Sequence, residues 1–158
     1  MNRPLCRRPC RKNMASKDKI FLDSDVVLDH LADCQPFAEY AHRIFALAET
    51  GELTVCLSSL SFSNLYYLLR KLKGHAAALA LLGKLKRLVR VAAVGEPEIH
   101  SALASGFKDF EDAIQHFAAK TEGNISAIIT RNRADYSARE IPVLSPDEFL
   151  ARHASAAD

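Results

Sequence analysis

A parallel β-sheet sandwiched between layers of helices is the fold that this sequence predicts. Short apolar runs with strand character alternate along the chain with longer segments of helical period, the pattern of an α/β domain. Those runs break into polar or acidic residues at their ends, as in Phe21-Leu22-Asp23-Ser24-Asp25 and Leu57-Ser58-Ser59. The crevice beyond the carboxyl ends of the strands is where open α/β sheets bind ligands. A length of 158 residues suits one domain that can bury a substantial core.

The first strand is Ile20-Phe21-Leu22, entered from Lys19. A helix then starts around Val26, Val27 and Leu28, with Ser24 or Asp25 as its cap. On its own, Asp23 reads as the residue that closes the strand. After Pro36 a second helix spans 37–50, with apolar residues at 37, 41, 44, 45 and 48 and Gly51 as its terminator. Leu53 to Leu57 forms the second strand. The helix behind it runs to about Leu72, with Leu60, Leu65, Tyr67, Leu68 and Leu69 as its apolar face. Its first turns put Ser61, Ser63 and Asn64 on the polar rim. The pair Tyr66-Tyr67 suits base stacking, although aromatic residues at helical spacing more often fill a core.

Gly74 separates that helix from an alanine- and leucine-rich one, His75 to about Leu88, whose apolar run 76–82 reads as buried. Val89 to Val94 is the third strand, and Pro97 sits in the first turn of a helix that reaches Ser105. Residues 106–112 open a further helix, Ala113 to about Thr121, with Ile114, Phe117 and Ala118 facing inward. After the turn Glu122-Gly123-Asn124, Ile125 to Thr130 is the fourth strand and Ile141 to Leu144 a short fifth. Ser145-Pro146-Asp147-Glu148 begins the last helix as cap, N1 proline and first-turn acids.

The composition, 49% apolar and 25% charged, is that of a soluble globular domain. No apolar run approaches the ~20 residues of a membrane span. The net charge of +2 hides an asymmetry: residues 1–19 carry seven basic groups against Asp18, which leaves the rest of the chain at −4. The basic segment lacks the apolar stretch of a secretory signal. It reads either as a solvated arm that touches RNA or, preferably, as an extension upstream of a start at Met14. The expected division is a mobile basic tail over 1–18, one domain over 19–152 and a flexible C-terminus over 153–158. Cys6, Cys10, Cys34 and Cys56 have no metal-binding spacing. Cys56, inside a strand, reads as a small core residue, and the compartment expected is the cytoplasm.

Carboxylates collect at the strand ends and helix starts: Asp23 with Asp25, then Asp109, Glu111 and Asp112, then Asp135, with Asn64 beside them. Taken singly, each reads as structural, and Asp109 with Asp112 reads as a helix cap plus charge on the helix dipole. Taken together they repel, which raises their pKa values unless a cation neutralises them. Hard oxygen donors without His or Cys select Mg²⁺ or Mn²⁺. A pair of such ions can activate water for phosphodiester hydrolysis. The basic residues Lys84, Lys86 and Arg87, near Arg90, Lys71 and Lys73, suit either RNA phosphates or the dipole at a helix C-terminus.

The order of these motifs resembles the PIN-domain ribonucleases, in particular the VapC-type toxins of toxin–antitoxin pairs. The resemblance rests on Phe-Leu-Asp23-Ser-Asp25-Val-Val-Leu-Asp29, Leu-Ser-Ser-Leu-Ser-Phe-Ser-Asn64, Asp109-Phe-Glu-Asp112-Ala and Ile-Ile-Thr130-Arg131-Asn132-Arg-Ala-Asp135-Tyr. It closes on Ile-Pro-Val-Leu-Ser-Pro146-Asp-Glu-Phe149-Leu and spans about residues 19–150. The resemblance implies a three-layer α/β/α sandwich with a five-stranded parallel sheet, and a metal-dependent endoribonuclease specific for single strands. Asp23, Asp112 and Asp135 fall on the family's three aspartates, expected both to hold Mg²⁺ or Mn²⁺ and to position the attacking water. Asp25, Asp109 and Glu111 are auxiliary carboxylates on this reading, with Thr130 and Asn132 as polar groups near metal or substrate, and Arg131 joins Lys84, Lys86 and Arg87 as a contact for nucleic acid. The resemblance also implies a cognate antitoxin, and commonly a homodimer, with no membrane association. In place of the family's glutamate after the second strand this chain has Asn64, which adds no charge; Glu111 is a candidate to supply it.

Two other readings stand beside this one. Asp23-x-Asp25 after an apolar strand also matches the nucleophile motif of haloacid-dehalogenase-type phosphatases, although Asp109 and Asp112 fall on the wrong side of the fourth strand for that family. A PIN-like domain impaired by Asn64 that binds RNA or a partner without cutting is the other.

Overall fold

The computed structural model describes residues 17–136 and 140–156. The elements run β1 (Asp18–Leu22), α1 (Ser24–Ala32), α2 (Ala38–Glu49), β2 (Leu53–Ser58), α3 (Ser59–Lys73), α4 (His75–Leu88) and β3 (Val89–Ala92), then α5 (Glu96–Ala104), α6 (Phe110–Glu122), β4 (Ala127–Ile129), β5 (Val143–Leu144) and α7 (Pro146–Ala156). A 3₁₀ turn, Arg133–Asp135, lies between β4 and β5.

All five strands are parallel, in the order β3-β2-β1-β4-β5. The chain moves outward from β1 through β2 to β3, then returns to the other side of β1 for β4 and β5. The topology therefore reverses at the β1/β4 boundary, the place where an open α/β sheet binds its ligand. Strand periodicity sends alternate side chains to opposite faces. Ile20, Leu22, Val55, Leu57 and Ile129 bury against α1, α2, α3 and α7, while Phe21, Cys56 and Ile128 bury against α6. Ala102 of α5 packs in turn on Ala113 and Ile114 of α6. Cys56 is a fully buried core residue, as expected.

Four expectations need correction. The cap of α1 is neither Ser24 nor Asp25 but Asp23, in extended conformation, and its side chain makes no cap bond because it is engaged elsewhere. The run 76–82 in α4 is not buried as a whole: α4 is half of a hairpin with α3, so only Ala78 and Leu85 are buried and Leu79 is half exposed. On α3, Leu65 and Leu69 face the core whereas Leu60, Tyr67 and Leu68 are exposed. Residues 153–156, assigned to a flexible terminus, continue α7, with His153 stacked on Phe149 and its Nδ1 3.5 Å from Asp18 Oδ2. The basic tail up to residue 16, with Cys6 and Cys10, lies outside the described residues. Among the described residues no helix is long and apolar enough to cross a membrane.

Candidate functional site

β1 ends by delivering Asp23 to the β1/β4 boundary. Its backbone N–H still pairs with Ile129 O at 3.0 Å, so the residue is anchored to β4 on one side while α1 departs on the other. The carboxylate is 7% exposed and has two neutral donors: Thr130 Oγ1 to Oδ2 at 2.7 Å and Gln115 Nε2 to Oδ1 at 3.1 Å. Thr130 Oγ1 also accepts the N–H of Asn132 at 3.0 Å, which fixes the turn leaving β4. Burial raises the pKa of Asp23, the Thr130 and Gln115 hydrogen bonds oppose that rise, and the charge of Asp25 adds to it.

α6 brings the second group of acids. Asp109 is its N-cap, with Oδ1 accepting the N–H groups of Glu111 at 2.8 Å and Asp112 at 3.1 Å. Asp109 is therefore the cap of α6, the plain structural role, and it orients the acids that follow. Asp112 is buried and Gln115 follows one turn later on the same face, which explains how one helix supplies both a second carboxylate and a donor to Asp23. Glu111 is exposed and turns across the rim towards α3, where Asn64 Nδ2 donates to its Oε1 at 2.8 Å and Ser24 Oγ lies 3.3 Å from the same atom.

The phenol of Tyr136 is buried among these acids. Burial pushes its hydroxyl up, and the nearby charges of Asp23, Asp112 and Glu111 push it further. The Tyr136 hydroxyl sits against the Asp112 carboxylate, which also raises its pKa, and Gln115 Oε1 has no hydrogen-bond partner among the described residues. The donor set at this rim is all oxygen, and the partners of the Asp23 carboxylate are neutral, so a hard divalent cation suits the chemistry. Among the described residues there is no group of three His, Cys, Asp or Glu side chains able to hold a metal ion. The backbone of Asp135 closes the 3₁₀ turn beyond β4, and its side chain is outside what is described.

Arg131, expected to meet nucleic acid, is committed within the protein. Its Nε is 3.3 Å from buried Asp29 Oδ2 and an Nη 3.6 Å from Asp25 Oδ2, while the guanidinium lies 4.6 Å over the ring of Phe37. Asp25 is thus an exposed residue facing Arg131, one helical turn before Asp29. That placement removes it from the acid–base role a phosphatase reading of Asp23-x-Asp25 requires. Lys84, Lys86 and Arg87 are exposed on the last turns of α4 and make no hydrogen bond or ion pair among the described residues. Sequence reasoning missed Gln115 and the hydroxyl relay of Ser24, Ser58 and Ser61. The available signal was a glutamine on the inward stripe of α6, where Ile114 and Ala118 are buried.

A family model described as PIN domain matches residues 19–134. Ribonuclease VapC1 of Aquifex aeolicus is 25% identical over 142 residues, covering 87% of this chain and 96% of that protein. Among solved structures, VapC20 of Mycobacterium tuberculosis, a toxin that cleaves the sarcin-ricin loop, is 24% identical with a TM-score of 0.56, over 69% of this chain and 86% of its own. DNA-bound VapBC from Salmonella typhimurium matches at 15% identity and a TM-score of 0.61, over 82% and 98% of the two chains. VapBC2 from Rickettsia felis, bound to a DNA fragment from its promoter, matches at 14% and 0.58, over 80% and 98%. These structural likenesses establish the fold.

Proposed function

Since the chain belongs to the PIN-domain family, we propose that it is a metal-dependent endoribonuclease that hydrolyses phosphodiester bonds of single-stranded RNA. The observation that carries this reading is a buried carboxylate, Asp23, at the topological switch point, held by two neutral donors, Thr130 and Gln115. Ribonuclease VapC1, similar along nearly its whole length, supports it.

Asp23 and Asp112 would hold Mg²⁺ or Mn²⁺, with Asp135 as the third ligand. A bound divalent ion supplies charge neutralisation at the phosphate and a more acidic attacking water. The protein's part is placement. Thr130 and Gln115 restrict the Asp23 carboxylate to one orientation, and the Asp109 cap fixes the first turn of α6, which carries Asp112. Asp112 or Asp135 would orient the attacking water, and exposed Lys84, Lys86 and Arg87 offer charge for the RNA backbone. An unpaired strand is preferred because its phosphates can bend down to a rim where Asp23 and Asp112 are both buried.

The biological role proposed is that of a cytoplasmic toxin restrained by a cognate antitoxin, and able to pair with a second copy of itself. The VapBC assemblies of similar fold support this reading. Incubating the purified chain with end-labelled, mixed-sequence single-stranded RNA in Mg²⁺, in Mn²⁺ and in EDTA tests the activity. Internal cutting that EDTA abolishes is the expected result, and a folded protein that leaves the RNA intact under all three conditions contradicts it. A protein that binds the RNA without cutting would instead be the impaired binding domain, to which Asn64 lends some support.

A further inference from the structure

Glu111 is tethered by side chains from two other helices. Asn64 of α3 donates to Oε1 at 2.8 Å, and Ser24 of α1 lies 3.3 Å from the same oxygen. Ser24 Oγ is also 3.0 Å from Ser61 Oγ, which is 2.8 Å from Ser58 Oγ, the cap of α3. A relay of hydroxyls therefore links the end of β2 to this carboxylate through groups that are largely buried. Holding a long, exposed acid in one rotamer costs conformational entropy, and the surrounding contacts offset that cost at one particular place. That place borders the buried carboxylates: the charges of Asp23, Asp112 and Glu111 all raise the pKa of the Tyr136 hydroxyl, which is buried against Asp112.

We propose that Glu111 is a working carboxylate of the site, facing its centre from the α3 side, and that Asn64 is the positioning residue that holds it there. The inference rests on the nuclease reading and deepens it. Both tethers converge on Oε1, so Oε2 is left to turn towards a cation or a substrate group. Asn64 then has a reason to be an amide. A carboxylate at position 64 would stand within hydrogen-bond distance of Glu111 and repel it, whereas the amide donates. The negative charge comes from α6 and the clamp from α3.

This predicts that the acid and the amide can trade places. The test measures Mn²⁺ affinity of the full chain by electron paramagnetic resonance without RNA, with thermal melting as a control and RNA cleavage recorded in parallel. Glu111→Gln should weaken Mn²⁺ binding about 10- to 100-fold, the range for lost ligands or their supports. Asn64→Ala should weaken it by less while the melting temperature stays near wild type. The double variant Asn64→Glu/Glu111→Gln, which restores a carboxylate–amide pair with its members reversed, should recover most of the loss. Unchanged Mn²⁺ affinity in Glu111→Gln overturns the proposal, as does a folded double variant no better than Glu111→Gln alone. If the wild type cuts no RNA while Mn²⁺ binding follows the predicted order, the nuclease reading falls and the assignment of Glu111 stands.

Discussion

Thr130 Oγ1 donates a 2.7 Å hydrogen bond to Asp23 Oδ2, across the boundary between the first and fourth strands. The bond joins residues 107 positions apart at the point where the sheet's topology reverses. Thr130 is fully buried and serves a second partner, the N–H of Asn132. Thr130→Val keeps the shape but leaves a buried carboxylate short of a donor and an N–H without its acceptor. The expected cost is about 1–3 kcal/mol in a urea melt, with cleavage reduced about 10- to 100-fold. A variant as stable and as active as wild type would show that the bond is incidental.

Asp23 itself should trade stability for function. Burial raises its pKa above the ordinary 3.8, so at neutral pH its ionised form is a cost to the metal-free fold. Between the unfolded and folded pKa values the folded state binds more protons, and that cost is lifted as pH falls through the folded value. Asp23→Asn should therefore melt at or above the wild type at pH 7 without added metal. The difference should shrink as pH falls through the raised folded pKa, where the wild-type carboxyl itself becomes protonated. A marked loss of stability at pH 7 would contradict this account.

Arg131 pairs with two carboxylates of α1. Asp29 has its pKa raised by burial and by Asp25, and lowered by Arg131. Removing the guanidinium in Arg131→Ala leaves a buried charge without its cation, at an expected cost of roughly 1–3 kcal/mol at pH 7. Because the carboxyl of Asp29 then takes up a proton more readily, the variant should regain part of that loss on acidification. Paired melts of Arg131→Ala and Arg131→Ala/Asp29→Asn check this, since the double variant should lose the recovery.

His30 makes a separate pH-dependent contribution. It stacks on Phe45 with ring centroids 4.1 Å apart, and burial, aided by His42, lowers its pKa to about 4. The unfolded chain takes up this proton near the ordinary histidine value of 6.5, so stability falls as pH drops from about 6.5 to about 4. The share due to His30 is about 1–3 kcal/mol, and His30→Leu should flatten that part of the stability profile measured by chemical denaturation.

The layered fold was legible in the sequence because local signals carry it. The apolar run 20–22 breaks into Asp23, Gly51 and Gly123 close helices at positive φ, and Pro146 opens α7. The placement of Asp23 at a strand end and of Asp112 in the first turn of a helix followed from their motifs. What was hidden depends on distant partners. Gln115 has the composition of an outer helix position, and only the return of β4 beside β1 places it on Asp23. Arg131 follows a strand end and has the charge to meet phosphate, yet α1 offers Asp25 and Asp29 one turn apart, and these claim it. The exposure of Leu79 reflects a hairpin of α3 and α4 that leaves one side of α4 uncovered, a matter of packing that periodicity alone does not report.

The most direct test of the central claim compares wild type with Asp23→Asn and Asp112→Asn in cleavage of one labelled single-stranded RNA in Mn²⁺. Melting curves establish in parallel that all three proteins are folded. The account predicts metal-dependent internal cutting by the wild type and a loss of at least about 100-fold in each variant. Cutting by folded variants at the wild-type rate would place the chemistry somewhere other than the β1/β4 boundary and contradict the account.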